Sequence, residues 1–477
     1  MTVACVILAA GQGTRMKSSL PKVLHKIWGR TMLDYVVAAA KKLAPEKIIV
    51  VAGRDMDLLK ASLKSQSIES EFQKSGPKKS ESMKSAPVSF VLQKEAKGTG
   101  HALLCARADL QNFKGDIVVL NGDAPLINPA GIKKFLRLHR TGKNSLSVLS
   151  FTTEKPFGYG RILRDKSGSV LSIIEEKDAD KARKLICEVN SGVYAIKASA
   201  LGLLDGIRLN KVKGEYYLTD IVAAAADNNL RPAAYCIGRE EEFLGVNTRS
   251  ELARAAGLMR RNIIGNLTDK GAHFIDCGSV YIGADVIVGK ETTIYPNVCI
   301  EGRTKIGEGS TVYPNVRILD CKIGKGVVIK DSTVMEGSTV DDRAVVGPFA
   351  HIRPGSTIGS DAKVGNFVEL KKTVMGKASK ASHLSYLGDT SIGRSVNIGA
   401  GTITCNYDGI LKNRTVIEDG VFVGSDSQLV APVTVGKGAY IGAGSTITRD
   451  VPPGALAVSR TAQKNIDGWA AKKKKSR

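Results

Sequence analysis

The chain has 477 residues, 43% of them hydrophobic but only 5% aromatic, with 50 glycines and a formal net charge of +23 at pH 7. That length predicts two or three domains with ample core, and a glycine-rich, aromatic-poor balance points to repeats with tight corners. Eight scattered cysteines (Cys5, Cys105, Cys187, Cys236, Cys277, Cys299, Cys321 and Cys405) make no C-x-x-C pair, so neither a disulfide framework nor a zinc site is implied and a reducing, cytoplasmic setting is expected. No apolar run approaches the ~18 residues needed to span a bilayer. Part of the positive charge sits in "KSGPKKSESMKSAP" (74–87) and in the terminal "KKKKSR". Both read as solvated, mobile segments, and no nucleic-acid recognition module accompanies them.

In chain order, "VACVIL" reads as a first strand rather than a signal segment, because it lacks a basic leader and continues directly into a glycine loop. That loop is "LAAGQGTRMKSSLPKVL" (8–24). The dinucleotide pattern G-x-G-x-x-G fails at Met16, and no G-K-[ST] follows for a Walker loop. The glycines alone fit either a tight strand-to-helix turn or a loop whose amides approach an anion. Arg15 and Lys22 favour a polyphosphate. Up to about residue 248, short apolar strands such as "KIIVVAG" (47–53), "DIVVLNGD" (116–123) and "LSVLSF" (146–151) alternate with helical stretches such as "MLDYVVAAAKKL". This alternation predicts a mostly parallel α/β sheet over residues 1–247, with ligands at the carboxyl ends of its strands. Asp123 falls at one such end, where a carboxylate suits either Mg²⁺ or a simple turn. A helical connector is expected over 248–268.

From about residue 280 the period becomes six. Aliphatics recur at Ile282, Val288, Ile294, Ile300, Ile306, Val312 and Ile318, slip by one to Ile323, and continue through Val334, Val340, Val346, Ile352, Ile358, Val364 and Leu370. The pattern returns at Ile392 and Ile398 and again from Ile417 to Ile447, with glycine often following the aliphatic. Hexapeptide periodicity predicts a β-helix over 269–465, whose stacked coils bury an aliphatic ladder, leaving 466–477 as a flexible basic tail. Two stretches, 375–391 and 404–416, break the register and read as loops carrying function. The first contains His383 and Tyr386, the second Asn406 and Tyr407.

The loop "LAAGQGTRM…PKVL" resembles the signature of sugar-nucleotide pyrophosphorylases. Together with "HIRPGS", "NFVELKK", "SHLSYLGD" and "NIGAGTITCNYDG", the chain resembles, over roughly residues 3–465, the bacterial family of bifunctional glucosamine-1-phosphate N-acetyltransferase/N-acetylglucosamine-1-phosphate uridylyltransferases. The resemblance implies a Rossmann-like nucleotidyltransferase domain joined by a helix to a left-handed β-helix with three hexads per coil. It also implies Mg²⁺ as cofactor, UTP and acetyl-CoA as co-substrates, a homotrimer, a cytoplasmic location and no nucleic-acid partner.

Carried over residue by residue, the resemblance implies that Leu8, Ala9 and Gly11 bind the nucleotide, Arg15 the triphosphate and Lys22 the phosphates. Asp123 and Asn247 would hold the metal, and Gln93, Gly98 and Thr99 read the uracil. Gly158, Glu175 and Asn190 match contacts to N-acetylglucosamine; no role follows for Asn121, where some members carry an aromatic. In the second half His383 is implied as general base, a role that suits histidine because amide formation needs a neutral amine, with Asn406 helping to position the intermediate. Arg353, Lys371, Tyr386 and Asn397 match the glucosamine-1-phosphate site. Ala400, Asn406, Tyr407, Ser425, Ala443 and Arg460 match acetyl-CoA contacts, and Lys412 is expected to reach a phosphate across the trimer interface. Two rival readings are a pyrophosphorylase whose β-helix only regulates, and a non-catalytic module on the same folds. His383 with Asn406 argues against the first, and Arg15, Lys22, Asp123 and Asn247 against the second.

Overall fold

The computed structural model describes residues 2–71, 86–210 and 214–475, so most of the lysine/serine segment 74–87 lies outside the described residues. The chain divides into two compact units, Met1–Met259 and Arg260–Arg477.

In the first unit, Val3–Ala9 lies at the centre of the main sheet, paired in parallel with Lys47–Ala52 on one side and Asp116–Asn121 on the other. Val88–Leu92 extends the sheet beyond Lys47–Ala52. On the other flank the sheet is mixed. Glu188–Lys197 runs antiparallel to both Asp116–Asn121 and Leu146–Thr152, and Ala233–Cys236 closes the edge. The expectation of a mostly parallel sheet therefore holds for one half only. The central strand shows no apolar–polar alternation because both of its faces are covered: Cys5 and Ile7 pack into one core, Ala4 and Val6 into the other. The first helix, Met32–Lys41, opens with a capping box in which Thr31 and Asp34 satisfy each other's backbone N–H.

The second unit is a left-handed parallel β-helix whose inward side chains stack in columns. In one of them Val288 sits over Ile306, and Ile323, Val340 and Ile358 follow, each paired with the residue one coil on. The coil repeat is 17 or 18 residues, as between Asn366 and His383 or Lys371 and Asp389. The glycines that follow the aliphatics are there because stacked corners touch: a Cβ on Gly307 would stand 2.5 Å from the backbone of Gly324. Hydroxyls two residues before an inward side chain form a second ladder, with Thr292 Oγ1 donating to Gly307 O at 2.9 Å and Ser379 Oγ to Gly393 O at 2.7 Å. Buried backbone carbonyls at the corners are thereby satisfied.

Three details differ from the sequence reading. At one rung the inward residue is Met335, fully buried, while Val334 is partly exposed. More importantly, 375–391 is no loop. Lys380–Gly388 is a strand in register with Lys363–Lys371, and Met375, Ala381 and Leu387 fill the core positions. Methionine and alanine hide the period there. The real interruption is the second one, where the coil repeat stretches to 25 residues between Arg394 and Asp419 and Tyr407 bridges Lys412 in a small excursion. Within the terminal basic segment, Trp469–Lys475 is helical.

The burial pattern sets an expected outcome. Met335→Ala should cost about 2–5 kcal/mol and Val334→Ala only about 0.5 kcal/mol, measured by urea unfolding followed by circular dichroism. Equal costs would put the core at the wrong residue.

Candidate functional site

At the carboxyl end of Val3–Ala9 the chain enters its glycine loop, where Gly13 has a left-handed φ of 65°. A Cβ on Gly13 would stand 2.5 Å from Lys22 Cβ, so this glycine both makes the turn and admits the lysine. Met16, fully buried, anchors the loop between Arg15 and Lys17. The loop borders a cavity of about 690 Å³ lined by Leu8, Ala9, Gly11, Arg15, Lys22, Gln93, Gly98, Thr99, Asp123, Glu175 and Asn247. Gly158 and Asn190 stand outside this lining: the Gly158 amide donates to Glu176 at 3.2 Å, and Asn190 Nδ2 donates to Tyr194 at 2.8 Å.

Lys22, almost buried, donates from Nζ to Asp123 Oδ2 and, at 3.0 Å, to Asn247 Oδ1. Two features bring Asp123 and Asn247 together. The Val246 amide donates to Asp123 O at 3.0 Å, and Thr248 with Glu251 caps the helix Arg249–Thr268. The Glu251 carboxylate accepts from the Asn247 and Thr248 amides at 2.7 and 2.9 Å, and the Thr248 hydroxyl accepts from the Glu251 amide at 3.2 Å. Gln93 donates from Nε2 to Gly98 O at 3.1 Å, and Thr99 Oγ1 accepts from the Leu218 amide at 3.1 Å. Glu175 accepts from Thr219 at 3.0 Å; burial pushes its carboxyl above the usual range, against the pull of that hydrogen bond. Asn121, left without a role by the sequence, lines the cavity, its amide packed where a Cβ on Gly192 would fall. Glu215 and Tyr217 also line it; sequence reasoning misses both, since nothing in their spacing marks them.

On the β-helix, stacking places distant residues side by side. One corner carries Asn366, His383, Ala400, Ser425 and Ala443 on successive coils: Asn366 pairs with His383, the Asp426 amide donates to Ala400 O at 2.7 Å, and the Gly444 amide donates to Ser425 O at 2.8 Å. Arg460 donates from Nη1 to Ala443 O. Exposed His383 thus lies on a strand and shares a corner with three of the expected acetyl-CoA contacts. A second corner carries Lys371, Asp389 and Asn406. Asp389 Oδ2 accepts from Lys371 Nζ at 3.2 Å and from Asn406 Nδ2 at 2.5 Å. Burial works to raise the Asp389 carboxyl, but these two hydrogen bonds hold it below its ordinary value. Tyr386 and Asn406 both approach Gly388, beside Asp389, and Arg353 pairs with Glu369 at 2.9 Å. Asn397 occupies the strand position paired with Lys380 and Phe422. Lys412, expected to reach across to another chain, lies beside Lys371 of its own chain, whose contact and like charge pull it below the ordinary lysine value. Tyr407 is exposed, its hydroxyl donating to Gly409 O at 2.6 Å. Asp389 is absent from the residues that the sequence singles out; its place 18 residues after Lys371 is the signal that finds it.

Residues 5–188 match the MobA-like NTP transferase domain, and residues 337–372 and 414–449 match the bacterial transferase hexapeptide repeat. The chain is similar over nearly its whole length to two proteins called bifunctional protein GlmU. That of Pelobacter propionicus is 45% identical over 474 residues, covering 99% of each chain. That of Thermodesulfovibrio yellowstonii is 46% identical over 470 residues, covering 98% of this chain and 99% of that one. The chain belongs to the bifunctional GlmU family. As a GlmU family member it is a bifunctional transferase of UDP-N-acetylglucosamine synthesis, with a uridylyltransferase half and an acetyltransferase half. Among solved structures, an apo UDP-glucose pyrophosphorylase is 23% identical with a TM-score of 0.46, covering 55% of this chain and 99% of that one.

The crowding at Gly13 makes its side chain testable. Gly13→Ala should displace Lys22 and lower uridylyl transfer about 100-fold with acetyl transfer unchanged, both read by product formation. Normal uridylyl transfer in this variant would show that the loop tolerates a Cβ there.

Proposed function

We propose that the glycine-loop cavity performs uridylyl transfer from UTP to N-acetylglucosamine 1-phosphate, and that the two β-helix corners perform acetyl transfer from acetyl-CoA to glucosamine 1-phosphate. The observation that carries the first assignment is the Lys22 ammonium held between Asp123 and Asn247. A sugar-phosphate oxygen attacks the α-phosphorus of UTP; that P–O bond forms as the bond to the bridging oxygen breaks, and pyrophosphate leaves with the electron pair. Arg15, Lys22 and the loop amides offset the negative charge of the two phosphates as they approach. Gln93, buried in the cavity lining and held through its Nε2 by Gly98 O and His101, is the amide assigned to read the base.

Asp123 and Asn247 converge a carboxylate and an amide oxygen on one point, and a lysine ammonium already fits there. Among the described residues no group of three or more His, Cys, Asp or Glu side chains is arranged for a metal. Two hard oxygen donors suit Mg²⁺, and Asp123 and Asn247 are the residues that would hold it. When bound, Mg²⁺ neutralises charge on the leaving pyrophosphate.

In the second reaction the sugar amine attacks the thioester carbonyl. The C–N bond forms and the C–S bond breaks, and the amine proton passes to the His383 imidazole and then to the departing sulfur. The corner of Ala400, Ser425 and Ala443 supports a pantetheine arm lying along the stacked coils. Lys371, Arg353 and Lys412 supply the positive charge for the sugar phosphate. A homotrimer is part of the proposal. It is supported by the exposed ladder of Phe349, Phe367 and Leu384, which are 51, 56 and 60% exposed and lie beside the His383 corner. Among the described residues no helix is long and apolar enough to cross a membrane.

The two sites are expected to fail separately. His383→Ala should lower acetyl transfer about 10²–10⁴-fold and spare uridylyl transfer; Lys22→Ala should lower uridylyl transfer about 10²–10³-fold and spare acetyl transfer. Free-thiol release and pyrophosphate release measure the two steps. Loss of both activities from either folded variant would overturn the assignment. Chelator should stop pyrophosphate release alone, because no phosphoryl bond changes in the acetyl step; equal inhibition of both would contradict it.

A further inference from the structure

His383 Nδ1 lies 2.5 Å from Asn366 Oδ1, one coil below it. A carbonyl oxygen can only accept, so the ring nitrogen facing it donates. Neutral imidazole has one N–H, and fixing that proton on one nitrogen leaves the lone pair on the other. We infer that Asn366 is the positioning residue of the acetyl-transfer base: its side-chain oxygen keeps the His383 proton on Nδ1 and presents Nε2 as the nitrogen that takes the amine proton. This inference rests on the reading of His383 as the base.

The backbone enforces the pairing independently of the hydrogen bond. Asn366 and His383 are direct register partners in parallel strands. The residues after them, Phe367 and Leu384, both adopt left-handed φ values, 54° and 47°, so the two corners turn alike and aim the two side chains the same way. Gly365 lets the coils close up, since a Cβ there would overlap Ser382 O. The position is therefore built for two polar side chains in contact.

Charged or titratable groups on the adjoining strands are few. Lys363–Lys371 carries Lys363, Glu369 and Lys371 itself, and Lys380–Gly388 carries Lys380 and Tyr386. Glu369 is taken by Arg353 at 2.9 Å and Lys371 by Asp389 at 3.2 Å. On the other side of His383, residues 397–405 bring only Cys405. Asn366 is thus the neutral partner of His383, which orients the ring without adding charge to it.

Three variants of the full chain test this through pH profiles of acetyl transfer. Asn366→Ala should lower kcat about tenfold, with KM for both substrates within about twofold, because the ring loses its orientation while the substrate contacts remain. Asn366→Asp keeps an acceptor and cannot donate. It should restore kcat at alkaline pH and move the acidic limb up by about one pH unit, since an adjacent carboxylate favours the protonated imidazole. His383→Ala should fall about 10²–10⁴-fold in acetyl transfer, the loss that counts as inactive in this comparison. If Asn366→Ala keeps the wild-type kcat and profile while His383→Ala is inactive, the inference fails and the base assignment stands. If Asn366→Asp neither restores kcat nor moves the limb, Asn366 is only scaffolding and the inference is likewise overturned. If His383→Ala remains active, the base assignment itself falls.

Discussion

The acetyltransferase half depends on one constraint, the parallel register between coils. Each residue is hydrogen-bonded in line with the residue one coil away, so that sequence distance along the chain becomes contact between rungs. Aliphatics fill the inside of each face, buried hydroxyls satisfy carbonyls at the corners, and the charged side chains are turned outward. A side chain cannot enter the interior to do chemistry, because the interior is packed. Chemistry is therefore confined to the corners and outer faces, where side chains one coil apart line up in columns. His383 with Ala400, Ser425 and Ala443 is one such column, and Lys371 with Asp389 and Asn406 is another.

The nucleotidyltransferase half solves the placement problem differently. Its sheet ends release loops, and the residues that matter are collected from far apart in the chain by backbone bonds. The Val246 amide on Asp123 O and the helix cap made by Thr248 and Glu251 set Asn247 against Asp123. Lys22 then finds two oxygen partners at once. A nearly buried ammonium is costly to hold alone, and here it is held by a carboxylate and an amide oxygen. Cation, carboxylate and amide form one electrostatic unit rather than three separate contacts.

Much of this is legible in the sequence. The glycine loop with Arg15 and Lys22, the aspartate at a strand end and the six-residue period each follow from local chemistry. What the sequence hides has physical causes. Ala381 and Met375 occupy core positions without looking like the β-branched ladder, so the strand that carries His383 reads as a loop. Met335 takes the inward position beside Val334 because register is set by the neighbouring coils and not by β-branching. The antiparallel run of Glu188–Lys197 depends on which strands meet across the sheet, which no local pattern encodes. Asp389 and Asn366 become visible only when residues one coil apart are compared.

Between Arg394 and Asp419 the coil is stretched, yet its extra residues leave at a corner and return to it. The Asp419 carboxylate still accepts from the Arg394 amide at 2.6 Å, as Asp342 does from Lys325 at 2.7 Å in an ordinary coil. The rungs above and below do not register the added length. Such a scaffold separates the evolution of its loops from the integrity of its wall: a corner can gain or lose a segment, and with it a contact to substrate, while every aliphatic beyond that point keeps its face.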